Sequence, residues 1–218
     1  MAVNTEAYQL IKEELNKHAV TLVAVSKFKP VEDLQVLYDL GQRDFGENFV
    51  QELVMKYEAM PKNIRWHFIG HLQSNKVKYI APFVHLIHGV DKEKLLREID
   101  KQAAKSQRVI DCLLQVHIAE EETKFGFNEE ELKEVMESVK EKQYPNVCIR
   151  GLMGMASFTG DQDKISFEFK SLADLFKPSS LAEPHVNLLS MGMSNDYAIA
   201  IKEGSNMVRI GSLIFGPR

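Results

Sequence analysis

Short apolar runs alternate with amphipathic stretches along this whole chain, and that alternation limits the folds open to it more than any other feature. Residues 21–26 (TLVAVS) are too uniformly apolar for a strand with one wet face and suit a parallel strand covered on both sides. Pro30 then opens VEDLQVLYDL and Gly41 follows it, the punctuation expected at the two ends of a helix. The same reading places further strands at 43–46, 65–69, 84–90, 109–118, 147–153, 186–189 and 207–210. Helices are expected between them at about 47–59, 74–80, 91–105 (with Asp91 as the cap), 128–142, 162–176 and 195–202, and an amphipathic helix over 4–18 precedes them all. Eight strands, the first seven each followed by a helix, specify a parallel sheet with its helices outside. The expected fold is therefore α/β, a single (β/α)8 TIM barrel with an extra N-terminal helix, forming one domain over residues 1–218. Such barrels take ~250 residues and at least ~200, which leaves little room here for a second domain.

Composition narrows the function classes. The net charge of −4 and pI near 6.0 give no basic excess with which to neutralise phosphates, so nucleic acid is not an expected partner. Cys112 and Cys148 both fall in apolar, strand-like stretches without metal-ligand spacing, and are expected to be two buried thiols. The N-terminal residues mix both charge signs and lack the apolar core of a signal peptide, and no apolar run is long enough to span a bilayer. A soluble, cytoplasmic protein is expected.

Barrels carry function at the carboxyl ends of their strands. The first strand ends in AVSKFKP, which places Lys27 directly beyond a buried strand. Partial desolvation there lowers an ammonium's pKa and exposes the amine lone pair, the property of a Schiff-base lysine. A lysine simply reaching from a strand end into solvent fits the same position. Lys29, beside Pro30, is expected to face solvent. After the seventh strand comes SMGMSND, with Ser194 as a helix-cap candidate, and after the eighth comes RIGS, where Gly211 and Ser212 let backbone amides approach a ligand. The last two strand-end loops of a barrel are a frequent phosphate site, although each serine or glycine alone also suits plain turn chemistry. Arg209, inside the eighth strand, needs an acceptor wherever it points. Asn48 and His67 lie near the ends of the second and third strands. His67 and His71 lack the spacing of a metal site, and GLMGMA lacks the order of a dinucleotide fingerprint.

In this order, AVSKFKP, FGENFVQE, WHFIGHLQSNK, KFGF, GLMGMA, LSMGMSNDY and VRIGSLIFG resemble the pyridoxal-phosphate homeostasis proteins, from Thr21 to Gly216. That family is in turn similar to the N-terminal barrel of alanine racemase, the fold-type III group of pyridoxal-phosphate proteins. The resemblance implies pyridoxal 5′-phosphate as cofactor, held as an internal aldimine on Lys27. It implies that Ser194, with the backbone at Gly211 and Ser212, holds the phosphate, that Arg209 faces the pyridine nitrogen, and that Asn48 and His67 line the ring pocket.

Two functions are open to such a chain. One is a carrier or regulator in intracellular pyridoxal-phosphate (vitamin B6) homeostasis, with apo-enzymes as recipients. The other is a pyridoxal-phosphate-dependent amino-acid racemase. A guanidinium beside the ring nitrogen disfavours its protonation and hence carbanion chemistry. The racemases that resemble this barrel also take a second proton donor from an additional domain, whereas this chain ends at Arg218, which favours the carrier and a monomer. A barrel that binds some other phosphate ester non-covalently is a third possibility.

Overall fold

Eight parallel strands close on themselves in chain order: β1 (Thr21–Val25), β2 (Asp44–Glu47), β3 (Arg65–Phe68), β4 (Leu86–Val90), β5 (Ile110–Gln115), β6 (Val147–Met153), β7 (Leu188–Met193) and β8 (Met207–Ile210). The structure, a computed structural model, describes residues 3–119, 125–177, 183 and 185–216. The β8–β1 seam sets Leu22 opposite Val208 and Ala24 opposite Ile210, so the two ends of the chain complete the barrel. Parallel neighbours require a crossover between them, and helices supply it on the outside. These are α2 (Val31–Asp39), α3 (Val50–Ala59), α4 (Val77–Ile80), α5 (Glu93–Lys105), α6 (Glu129–Lys140), α7 (Gln162–Phe176) and α8 (Tyr197–Lys202). The extra helix α1 (Thr5–Lys17) precedes β1, with Asn4 capping it through the Ala7 N–H. It buries Tyr8, Ile11 and Leu15, and the Asn4 N–H donates to Ile214 O (2.8 Å) in α9 (Ser212–Phe215), a short turn of helix after β8.

Alternation along the strands separates two apolar clusters. Leu22 and Ala24 of β1 join the helix-facing core, whereas Val23 packs with Leu86, Leu113, Met153 and Met207, a cluster made of strand residues alone.

Element bounds differ from the expected ones at informative places. β7 runs through Met193, where a turn from Ser190 is expected, because Gly192 takes φ +96° and the strand continues past the irregularity. A Cβ at Gly192 would lie 2.6 Å from the Ala200 Cβ, so glycine also lets α8 pack onto the strand. The helix expected over 74–80 is a 3-10 turn (Ser74–Lys76) followed by α4. Asp91 does not cap α5; Lys92 holds that position, and Asp91 pairs instead with His71 Nδ1 at 3.1 Å. Cys112 is buried as expected, but Cys148 is only half-buried, on the residue of β6 that faces Asp111 across the ladder. Lys124 of KFGF and the chain end at Arg218 lie outside the described residues. Among the described residues, no helix is long and apolar enough to cross a membrane.

Candidate functional site

The carboxyl ends of β1, β2, β7 and β8 surround a cavity of about 350 Å³, which is within the range of small-ligand pockets. Lys27, Asn48, Ser194, Arg209, Gly211 and Ser212 all line it, six of the seven residues singled out in the sequence. Its apolar wall includes Val25, Ile69, Met155 and Phe158. Among the described residues, the lining carries Lys27, Lys29 and Arg209 against the single carboxylate of Asp196. A chain of net charge −4 therefore presents a locally cationic mouth.

Lys27 is half-buried in a turn two residues beyond β1, and α3 holds that turn from below. Ser26 Oγ donates to Glu47 Oε1 (2.6 Å). Lys56, fully buried, donates to Ser26 O, Glu47 Oε1 and Glu52 Oε1, each at 2.7 Å. Glu52 Oε1 also accepts the Phe28 N–H (2.6 Å), at a residue whose φ of +63° is unfavourable for a side chain. Strain of this kind persists only where the surroundings impose it. Burial pushes the Glu47 carboxyl up to about 7, against the pull of Lys56 and Ser26. The sequence gives little sign of this brace, because Glu52 and Lys56 stand four apart and look like an exposed helical ion pair.

Lys29 corrects the expectation of a solvent-facing lysine. Its Nζ donates to Phe215 O (2.7 Å), tying the β1 loop to α9 beside the cavity. Across the mouth, Ser194 Oγ accepts the Gly211 N–H at 3.3 Å, which joins the β7 and β8 loops. Ser194 does not cap α8; Asp196 occupies that position, and its carboxylate accepts the Met193 N–H (2.5 Å). Burial raises the Asp196 pKa. Asn48 presents an amide oxygen, Oδ1, that is buried without a hydrogen-bond partner among the described residues. Gly70 allows this arrangement, since a Cβ there would lie 2.4 Å from Asn48 O.

Arg209 points inward. It is buried and donates from Nη1 to Ser190 Oγ (2.6 Å) and Ser190 O (2.9 Å), and from Nη2 to Gly154 O (3.1 Å). Burial lowers its pKa to about 10, so it stays charged at neutral pH. His67 is not part of the cavity lining, contrary to expectation. It is buried in the barrel interior, with Nε2 3.0 Å from Asp44 Oδ1 and Nδ1 2.9 Å from His88 Nε2. The ring lies on the third residue of a four-residue strand, one layer below the mouth. Among the described residues, no group of His, Cys, Asp and Glu forms a metal site.

The family model described as alanine racemase, N-terminal domain, matches residues 5–218. A pyridoxal phosphate homeostasis protein of Aquifex aeolicus is 42% identical over 207 residues, covering 93% of this chain and 89% of that protein. The protein of that name in Escherichia coli K12 is 36% identical, covering 91% and 86%. PipY of Synechococcus elongatus, solved with pyridoxal phosphate bound, superposes with a TM-score of 0.85 at 31% identity, over 97% of this chain and 99% of PipY. Alanine racemase of Bartonella henselae shares the fold at 14% identity, with a TM-score of 0.70, over 97% of this chain and 59% of the racemase. On these matches the chain belongs to the alanine racemase N-terminal-domain family and, within it, to the pyridoxal phosphate homeostasis proteins.

Proposed function

We propose that this protein binds pyridoxal 5′-phosphate in the mouth of its barrel, anchors it covalently through Lys27, and acts as a carrier and regulator of the cytoplasmic pool. The observation that carries this reading is the convergence of six motif residues on one cationic cavity. The cavity also fits the ligand chemically. Lys27, Lys29 and Arg209 offset a phosphate's charge, the Ser194 and Ser212 hydroxyls supply donors, and the unpartnered Asn48 Oδ1 offers an acceptor.

Bound there, pyridoxal phosphate supplies an electrophilic aldehyde carbon and an electron-withdrawing ring. Lys27 is the amine that holds it, kept in place by the Glu47–Lys56–Glu52 brace beneath its turn. Ser194, Ser212 and the Gly211 backbone retain the phosphate. Arg209 would face the ring nitrogen as a charged donor and disfavour its protonation, which supports retention of the cofactor over amino-acid chemistry. His67 acts from below, not from the pocket wall.

Borohydride reduction of the loaded protein is expected to fix the cofactor's mass on the peptide containing Lys27, and Lys27→Ala is expected to lose both that mass and the visible absorption. A wild-type band in Lys27→Ala sinks the anchoring assignment. Incubation with single-enantiomer amino acids, followed by chiral chromatography, separates carrier from racemase: Lys27-dependent inversion overturns the carrier. The carrier reading further expects a monomer in sedimentation and reactivation of an apo pyridoxal-phosphate enzyme by the loaded protein.

A further inference from the structure

Branched aliphatic side chains are the expected filling of a barrel interior, yet a continuous polar chain runs through this one. Asp44 and Arg65 begin it at the amino ends of β2 and β3, where Arg65 Nε donates to Asp44 Oδ1 (2.7 Å). It continues through His67 and His88 to Ser190, whose Oγ lies 3.1 Å from His88 Nδ1, and ends on Arg209 at the mouth. His67, His88, Ser190 and Arg209 are each at least nine-tenths buried.

The two ends fix every proton between them. Arg209 only donates, so Ser190 Oγ accepts from it and turns its own hydrogen to His88 Nδ1. His88 then carries its hydrogen on Nε2 and donates to His67 Nδ1. His67 carries its hydrogen on Nε2 and donates to Asp44 Oδ1. Burial would raise the Asp44 carboxyl, but the hydrogen bonds from His67 and Arg65 and the charge of Arg65 hold it well below the usual range, so it accepts. The reverse order fails at a definite place. An Nδ1–H on His88 would leave the serine hydrogen without an acceptor among the described residues and require a cationic His67.

We propose that His67, His88 and Ser190 are positioning residues for Arg209: their proton order commits the serine hydrogen to His88, aims a Ser190 Oγ lone pair at Nη1 and so fixes the guanidinium at the mouth. This rests on the pyridoxal-phosphate reading of the cavity and adds what sets the group that faces the ring nitrogen. The groups facing His67 are Asp44, Arg65, His85 and His88. Those facing His88 are His67, Ser190, Arg209 and His85. Burial and the nearby His67 lower the His85 pKa to about 4, which keeps that ring neutral through the relevant range.

Long-range ¹H–¹⁵N correlation spectra of the full-length protein without added pyridoxal phosphate test the order directly, with His67→Gln and His88→Gln assigning the rings. Both rings are expected as Nε2–H tautomers at neutral pH. An Nδ1–H on His88 at neutral pH overturns the proposal. Ser190→Ala is expected to release the His88 tautomer, weaken pyridoxal-phosphate binding roughly tenfold and shift the pH profile of the visible absorption, whereas Ser190→Thr restores all three. An unaltered tautomer in Ser190→Ala also overturns it. A protein that never takes up pyridoxal phosphate defeats the ligand reading alone, and the spectra still decide this one.

Discussion

At the scale of single residues, two buried carboxyls respond to pH with opposite signs. Asp44 has its pKa lowered, so its contribution to stability is present above its ordinary 3.8 and is lost as pH falls through the folded value. Glu47 has its pKa raised from 4.5 to about 7, so its contribution is present below 4.5 and is lost as pH rises through 7. Urea titrations across pH 2–8, read by the fluorescence of the only tryptophan, Trp66, are expected to show the Glu47 limb and the onset of the Asp44 limb. Asp44→Asn flattens the acid limb and costs about 2 kcal/mol. Glu47→Gln flattens the fall toward neutral pH. Neither group was legible in the sequence, because both lie in DFGE, a four-residue segment whose burial on every residue only the closed barrel reveals. The cavity residues were legible because strand ends and small-residue loops mark them locally. His67 misled for the opposite reason: a polar residue near a strand end looks like mouth chemistry unless the strand's exact last residue is known.

At the scale of elements, α3 matters as the support of the Lys27 turn. Lys56→Met leaves Glu47 buried without its main counter-charge and is expected to cost about 3–5 kcal/mol. Phe28, no longer braced through Glu52, is then expected to relax from its positive φ, so borohydride labelling of Lys27 falls even where folded protein is recovered. Gly192→Ala is expected to cost about 2–3 kcal/mol by thermal or urea unfolding, since the new methyl meets Ala200 and the backbone there is left-handed. The strand–helix alternation was readable because each strand is buried on both faces and each helix only on one. The extension of β7 was not, because SMGM looks like a turn until α8 is seen packed on the glycine.

At the scale of the whole molecule, ligand and fold are linked by mass action. Pyridoxal phosphate at a hundred times its dissociation constant is expected to stabilise the protein by about 2.7 kcal/mol, visible as a rise in Tm. Lys27→Ala should show a smaller rise from the remaining phosphate contacts, and equal rises in both proteins would argue against covalent anchoring. The barrel's closure gives that linkage a direction in time. Lys27 follows the first strand of the barrel and Ser194, Arg209 and Gly211 belong to its last two, so the proposed anchor is synthesised well before its counterparts. Only the β8–β1 seam, secured by Asn4 on Ile214 and Lys29 on Phe215, brings them together. A nascent chain therefore has no place for a reactive aldehyde until the eighth strand has been made, and cofactor uptake doubles as a report that the barrel has closed.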